Sequence, residues 1–279
     1  MIISEIFGHG VENQSELAWK DRESKNCPFR GTPCTKSSIP DPIGICSLAS
    51  GDQAAALCPV RFLENDRIFT DAAEIAFGEN IEFGVFPEVR ILNIPGAAKS
   101  GGDRKIGKVD FLLGKIESGH VVDFCAVEVQ AVYFSGRSIR PALSHFLTNR
   151  ELDLGNSDRR PDFRSSAQKR LMPQLQLKVP VFRRWGKKFF VVVDTQFFGE
   201  LPKFGETIAA NSELTWLNYP IQKADSGNFE LKAPEVIYSE WDEVRNALRE
   251  GVAPDPSEIV SELEAKLQNE KIPLRVLKT

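Results

Sequence analysis

No stretch of this chain comes near about eighteen uninterrupted apolar residues, the length a bilayer-spanning helix needs. The N-terminus, MIISEIFGHGVENQSEL, lacks a basic region ahead of an apolar run and does not read as a signal peptide. These two absences predict a cytoplasmic protein with no membrane partner. No internal repeat is evident. An excess of positive charge is also missing: 35 Lys and Arg stand against 39 Asp and Glu, a net charge of −4. The sum therefore offers no argument for nucleic acid, although a carboxylate-bearing active site can lie in an acidic chain with a local basic face. The five cysteines lack the tight C-x2–4-C spacing of zinc knuckles, and in the cytoplasm they suit metal ligands or buried thiols better than disulfides.

What is present is unevenly placed. Lys99, Arg104, Lys105 and Lys108 form one cationic group. From Arg137 to Lys188 there are thirteen cations in fifty-two residues, while acids concentrate between Glu235 and Glu270. A normally solvated middle is one reading; the density of Arg favours a phosphate-facing surface.

With 279 residues, 42% of them apolar, the chain can build one sizeable core with an appendage, or two small domains. Residues 23–62 hold five prolines, several glycines and four cysteines with little periodicity. Such a stretch is expected to need a metal or cross-link to become ordered. Residues 13–22 and 71–77 read as short helices, the second with Thr70 as N-cap and Glu74 within it. Strand patterns follow over residues 85–94, 106–113 and 121–134, the last two joined as a hairpin near 117–120. Residues 137–149 and 165–178 are helical candidates, with Pro173 expected to kink or break the second. KKFFVVVDTQFF at 187–198 reads as a central strand, because VVV is apolar on both faces. A short strand at 235–238 and two surface helices at 239–249 and 256–269 complete an α/β domain. The expected division is a cysteine-rich module over residues 1–62 and an α/β domain over 63–279.

Alternation across residues 121–134 places Phe124, Ala126, Glu128 and Gln130 on one face, and Cys125, Val127 and Val129 on the other. Cys125 is then a small core residue. Asp110 lies inside another apolar strand. Buried carboxylates are costly unless paired or metal-bound. Phosphodiester hydrolysis calls for a hard cation that neutralises scissile oxygens and activates water. Asp110 and Glu128, with the backbone carbonyl of Val129, could hold such an ion, and Gln130 could orient water or phosphate but cannot serve as a base. D-x17-E-x-Q is a loose pattern, and an exposed hairpin edge with ordinary polar side chains is the competing reading.

Cys27, Cys34, Cys46 and Cys58 are spaced C-x6-C, C-x11-C and C-x11-C within the core-poor segment. Four unrelated thiols would each have to be buried there without much apolar material, so a structural tetrathiolate site for Fe or Zn is favoured.

Taken together, Cys27, Cys34, Cys46 and Cys58 ahead of Asp110, Glu128 and Gln130 resemble the NotI restriction endonuclease family, a branch of the PD-(D/E)xK nucleases. The resemblance spans roughly residues 23–200. It implies a restriction-endonuclease-like core with a mixed central sheet, and a small N-terminal module with a four-cysteine iron site. It implies Mg2+-dependent cleavage of double-stranded DNA at a palindromic site by a homodimer. Asp110 matches the family aspartate, Glu128 the E of E-x-Q, and Gln130 the position where most of the superfamily has lysine. An additional acid from a helix before the sheet is expected at Glu74, with Glu88 the runner-up. The chain is shorter than the long-site enzyme that names the family, so base-reading elements can differ. Two alternatives stand beside this one: a catalytically inactive DNA-binding protein that retains the fold, and a non-specific nuclease of DNA repair or degradation.

Overall fold

The hairpin expected near residues 117–120 lies within the central sheet of the computed structural model, which describes residues 2–36, 41–96, 103–135, 138–152, 160–249, 254–269 and 275. Its strands, Arg104–Glu117 and His120–Val129, are antiparallel. The sheet has six strands in the order Glu235–Ser239, Leu214–Tyr219, Phe189–Asp194, His120–Val129, Arg104–Glu117, Glu82–Ile94. Phe189–Asp194 runs parallel to both of its neighbours, and all six of its residues are buried. Helices on both faces explain this central strand with no polar side. The other pairs are antiparallel, so the fold is mixed α/β with a mixed central sheet.

Each face has its own core. On one, Leu113, Cys125, Val127, Phe190 and Val192 pack with Ile68, Phe69, Ala72 and Ala73 of the helix Arg67–Phe77. On the other, Ala126, Phe189, Val191 and Val193 pack with Leu175, Val179 and Phe182 of the helix Met172–Trp185. Cys125 is a core thiol, as the alternation requires. The first of these helices starts at Arg67, so Thr70 is inside it and does not cap it. Burial of Ile68 and Phe69 extends the helix back past the hydroxyl.

A second six-stranded sheet, antiparallel throughout, runs Phe229–Leu231, Ile221–Lys223, Gln53–Ala56, Ile45–Ser50, Ile2–Ile6, His9–Gly10. It corrects the expectation that residues 23–62 have no core: Ile45, Leu48, Ala54, Ala55, Ala56 and Phe62 are buried. Their partners come from the first residues of the chain and from residues 221–231, so the sheet joins segments on either side of residue 62. Beneath it lies a buried ion pair. Arg61 Nε donates to Glu5 Oε2 at 2.8 Å, and its Nη1 donates to Glu64 at 2.6 Å.

Pro173 marks an interruption, though not an end. A short helix, Phe163–Ser166, passes through a π-helical turn, Ala167–Leu171, into Met172–Trp185, with Pro173 directly after that turn, where the helical hydrogen-bond register changes. The strand expected to reach residue 198 stops at Asp194, whose carboxylate accepts from Phe197 N at 2.8 Å and starts the helix Thr195–Gly199. The chain divides into two units, Met1–Leu248 and Arg249–Thr279, the second carrying the helix Pro256–Leu267. Among the described residues no helix is long and apolar enough to cross a membrane.

Candidate active site

The two hairpin strands are paired from Glu117↔His120 to Phe111↔Val127, and the ladder stops there. The next positions in register are Asp110 and Glu128. Here a side chain replaces the ladder bond: Asp110 Oδ2 accepts from the backbone N–H of Val129 at 3.0 Å. Glu128 Oε2 accepts from the backbone N–H of Asp110 at 3.5 Å. In an extended strand the N–H and C=O of one residue leave the same edge, so the Val129 carbonyl also faces the Asp110 strand. Two carboxylates and a backbone carbonyl therefore converge where the strands part.

The electrostatics of this notch are unfavourable without a cation. Glu128 is 1% exposed. Burial first, and then the charge of Asp110, push its carboxyl up to about 7, against the lowering effect of Lys178. Asp110 is also raised, chiefly by burial, with the Val129 N–H and Lys178 pulling the other way. A hard divalent ion suits these donors: it would relieve both the desolvation and the mutual repulsion of the carboxylates.

Lys178 is the neighbour that sequence reasoning missed. It was counted among the phosphate-facing cations, but it is 2% exposed and donates to Glu128 Oε1 at 2.5 Å and to Gln174 Oε1 at 2.6 Å. A signal was present: Leu171, Leu175, Lys178, Val179 and Phe182 form one buried stripe, so the lysine occupies a core position of its helix. Gln130 is buried beside Val129, but its amide nitrogen donates to the Ala131 carbonyl at 2.5 Å and touches neither carboxylate.

The two candidates for an additional acid part company. Glu74 is exposed on the helix Arg67–Phe77, whose buried residues pack on the Leu113–Val127 face, opposite the helix that carries Lys178. Glu88 stands across from Asp110, between the pairs Pro87↔Phe111 and Val89↔Val109, and its charge acts on Asp110. It adopts φ 59°, a left-handed conformation uncommon for a non-glycine residue within a strand, and pairs with Lys108 at 2.7 Å.

The cysteines gather without forming a finished site. Cys27 and Cys46 are buried, Cys34 and Cys58 partly so, and all four are free thiols. The charges of Cys34 and Cys58 act on Cys27, and that of Cys58 on Cys46, so the four share one neighbourhood. The amine of Lys36 lies among Cys34, Cys46 and Cys58 and donates to the Leu57 carbonyl. Among the described residues, however, no group of three or more His, Cys, Asp or Glu side chains is arranged to hold a metal ion. The four-thiolate centre expected because the four cysteines share a core-poor segment is thus not shown, and that segment has apolar core of its own in Ile45, Leu48, Ala54, Ala55, Ala56 and Phe62. The donor chemistry still fits a thiophilic ion, with a cation beside it to offset thiolate charge.

The middle of the chain is not a uniform phosphate-facing surface. Lys99, Arg137 and Arg159 lie outside the described residues. Others are engaged within the protein: Arg183 with Glu213, Lys187 with Asp123, Lys188 with the Ile75 carbonyl, Arg170 over the Tyr133 ring and Arg150 over Trp19. Exposed cations remain at Arg164, Lys169 and Arg184, and others are carried on the two-stranded ribbon formed by Glu82–Ile94 and Arg104–Glu117 beyond Asp110, namely Arg90, Arg104, Lys105 and Lys108.

The mixed sheet's hairpin thus brings the buried Glu128 and the half-buried Asp110 together where its strands part, a donor set that could hold a divalent cation. The sequence comparison gives the particular family: the model described as Restriction endonuclease NotI matches residues 12–231, and the chain belongs to this family of restriction endonucleases. No curated protein matches the chain.

Proposed function

We propose that the protein is a type II site-specific deoxyribonuclease that hydrolyses double-stranded DNA at a palindromic site, with Mg2+ held by Asp110, Glu128 and the Val129 carbonyl. The observation that carries this reading is the juxtaposition of Asp110 and Glu128 at the point where their strands part, in a chain of the NotI family. A bound Mg2+ would supply charge neutralisation at the scissile phosphate and a more acidic water. Asp110 and Glu128 serve as its anionic ligands and need not grip the DNA backbone. Gln130, a neutral amide, orients water or phosphate and carries no proton away. In the hydrolysis, the water oxygen bonds to phosphorus as the bond to the leaving sugar oxygen breaks. The water loses its proton to solvent, and the leaving oxygen takes one up.

Each such site cuts one strand, so a homodimer on a two-fold axis matches a palindromic target and both of its strands. The four cysteines hold one structural Fe or Zn, and the PD-(D/E)xK core accounts for the mixed sheet. The enzyme acts in the cytoplasm. Supercoiled plasmid incubated with Mg2+ or with chelator tests the chemistry. The account expects linear product with Mg2+ and none with chelator. Intact plasmid in every divalent ion would instead identify a DNA-binding protein that retains only the fold.

A further inference from the structure

The helix Met172–Trp185 buries the stem and the ammonium of Lys178 against Glu128, and nothing in its apolar packing requires that ammonium. Leu175, Val179 and Phe182 already seal the helix onto the sheet. An alanine or leucine at position 178 would continue the apolar stripe, whereas burying a lysine is costly unless its charge is used. Lys178 Nζ has three hydrogens to give. Two go to Glu128 Oε1 and Gln174 Oε1, and among the described residues no acceptor takes the third. Gln174, one helical turn earlier, holds the amine from the side and adds no competing charge.

The strand offers nothing equivalent. Gln130 is the next residue on the Glu128 face, and its amide is neutral and turned to the Ala131 carbonyl. Residues i and i+2 of a strand stand roughly 7 Å apart on one face, so a lysine stem at position 130 would also reach Glu128.

We infer that Lys178, carried by the helix packed over the sheet, supplies the active-site cation that the strand lacks, orienting Glu128 and presenting its remaining N–H to the scissile phosphate or the attacking water. This inference rests on the hydrolytic reading of the Asp110–Glu128 site. In the reaction the ammonium keeps its proton: it stabilises negative charge that builds on phosphate oxygens, and the bonds made and broken remain those at phosphorus.

The test compares Lys178→Met, Gln130→Lys and the double variant Lys178→Met/Gln130→Lys with the wild type. Single-turnover cleavage of a duplex with Mg2+, DNA affinity by filter binding, and thermal unfolding are measured on each. The expected result for Lys178→Met is a rate lower by roughly a hundredfold, the scale of losing one preorganised donor, with DNA affinity unchanged. A lysine restored from the strand in the double variant should recover at least about a tenth of the wild-type rate, which a purely structural role would not allow. Cleavage by Lys178→Met within about twofold of wild type overturns the inference and leaves the hydrolytic reading standing. A folded double variant as slow as Lys178→Met also overturns it. A wild-type protein that leaves DNA intact in every divalent ion overturns the hydrolytic reading, and the inference with it.

Discussion

Asp110 Oδ2 accepts the backbone N–H of Val129 at 3.0 Å, so one carboxylate oxygen fastens the end of the Glu128 strand while the other stays available to a ligand. Asparagine can keep the first role but not the charge. Asp110→Asn should therefore unfold at a temperature close to that of wild type and bind DNA, yet cleave at least about a hundredfold more slowly. Asp110→Ala should lose the strand contact as well and melt lower. Thermal unfolding and cleavage rates on the same preparations check both statements, and wild-type cleavage by either variant would remove Asp110 from the site.

Asp194 is fully buried and accepts from Ala56 N at 3.0 Å and Phe197 N at 2.8 Å, joining the central strand to the second sheet. Burial pushes its carboxyl from the ordinary 3.8 up to about 7. Between those pH values the folded protein holds a proton that the unfolded chain has lost. This contribution to stability is therefore full below about 3.8 and disappears as pH rises through about 7. Asp194→Asn cannot titrate. Denaturant unfolding at several pH values should show wild type losing ground relative to Asp194→Asn from pH 4 to pH 7; parallel stability curves would contradict the assignment.

Cys34 and Cys58 are the two less buried members of the cysteine group. Changing either to Ser should lower metal content, and with it folding or DNA affinity, while the chemical step in whatever complex forms stays unaltered. Elemental analysis of wild-type protein purified without chelator should find about one Fe or Zn per chain. Protein that carries none, yet folds and cleaves, would exclude a structural metal.

Arg104 and Lys105 extend the strand that carries Asp110 into an exposed ribbon, and Arg104 lies six residues, roughly 20 Å, along it. A two-stranded ribbon is narrow enough to enter the major groove. Replacing both residues with Ala should weaken DNA binding and flatten its dependence on salt by roughly one phosphate contact for each cation lost. An unchanged salt slope would take the ribbon off the DNA.

Asp110 and Glu128 were legible as polar positions in two apolar strands joined by a short turn, but their standing opposite each other depends on a register shift between Lys115 and Ile116 that the turn does not record. The central position of Phe189–Asp194 was legible for a similar reason, its lack of a polar face. The second sheet was not. Its Ala54–Ala56 stretch has little intrinsic strand preference, and its partners are supplied by residues 2–6 and 221–223, a separation that no local pattern records. Lys178 was hidden by its own charge. Among so many surface cations it looked like one more, and it stood at the last residue of the helix expected over 165–178, whereas the helix continues to Trp185 through Pro180. The cysteine count pointed to a shared neighbourhood, but spacing cannot fix the geometry on which coordination depends.

The most direct test of the central claim, site-specific cleavage of both strands, is sequencing of the ends produced when a long unmodified DNA is digested with Mg2+. The account predicts discrete fragments whose ends all fall at one short palindromic sequence, with both strands cut at positions related by the two-fold axis. Ends scattered without a common sequence, or nicks confined to one strand, would contradict it.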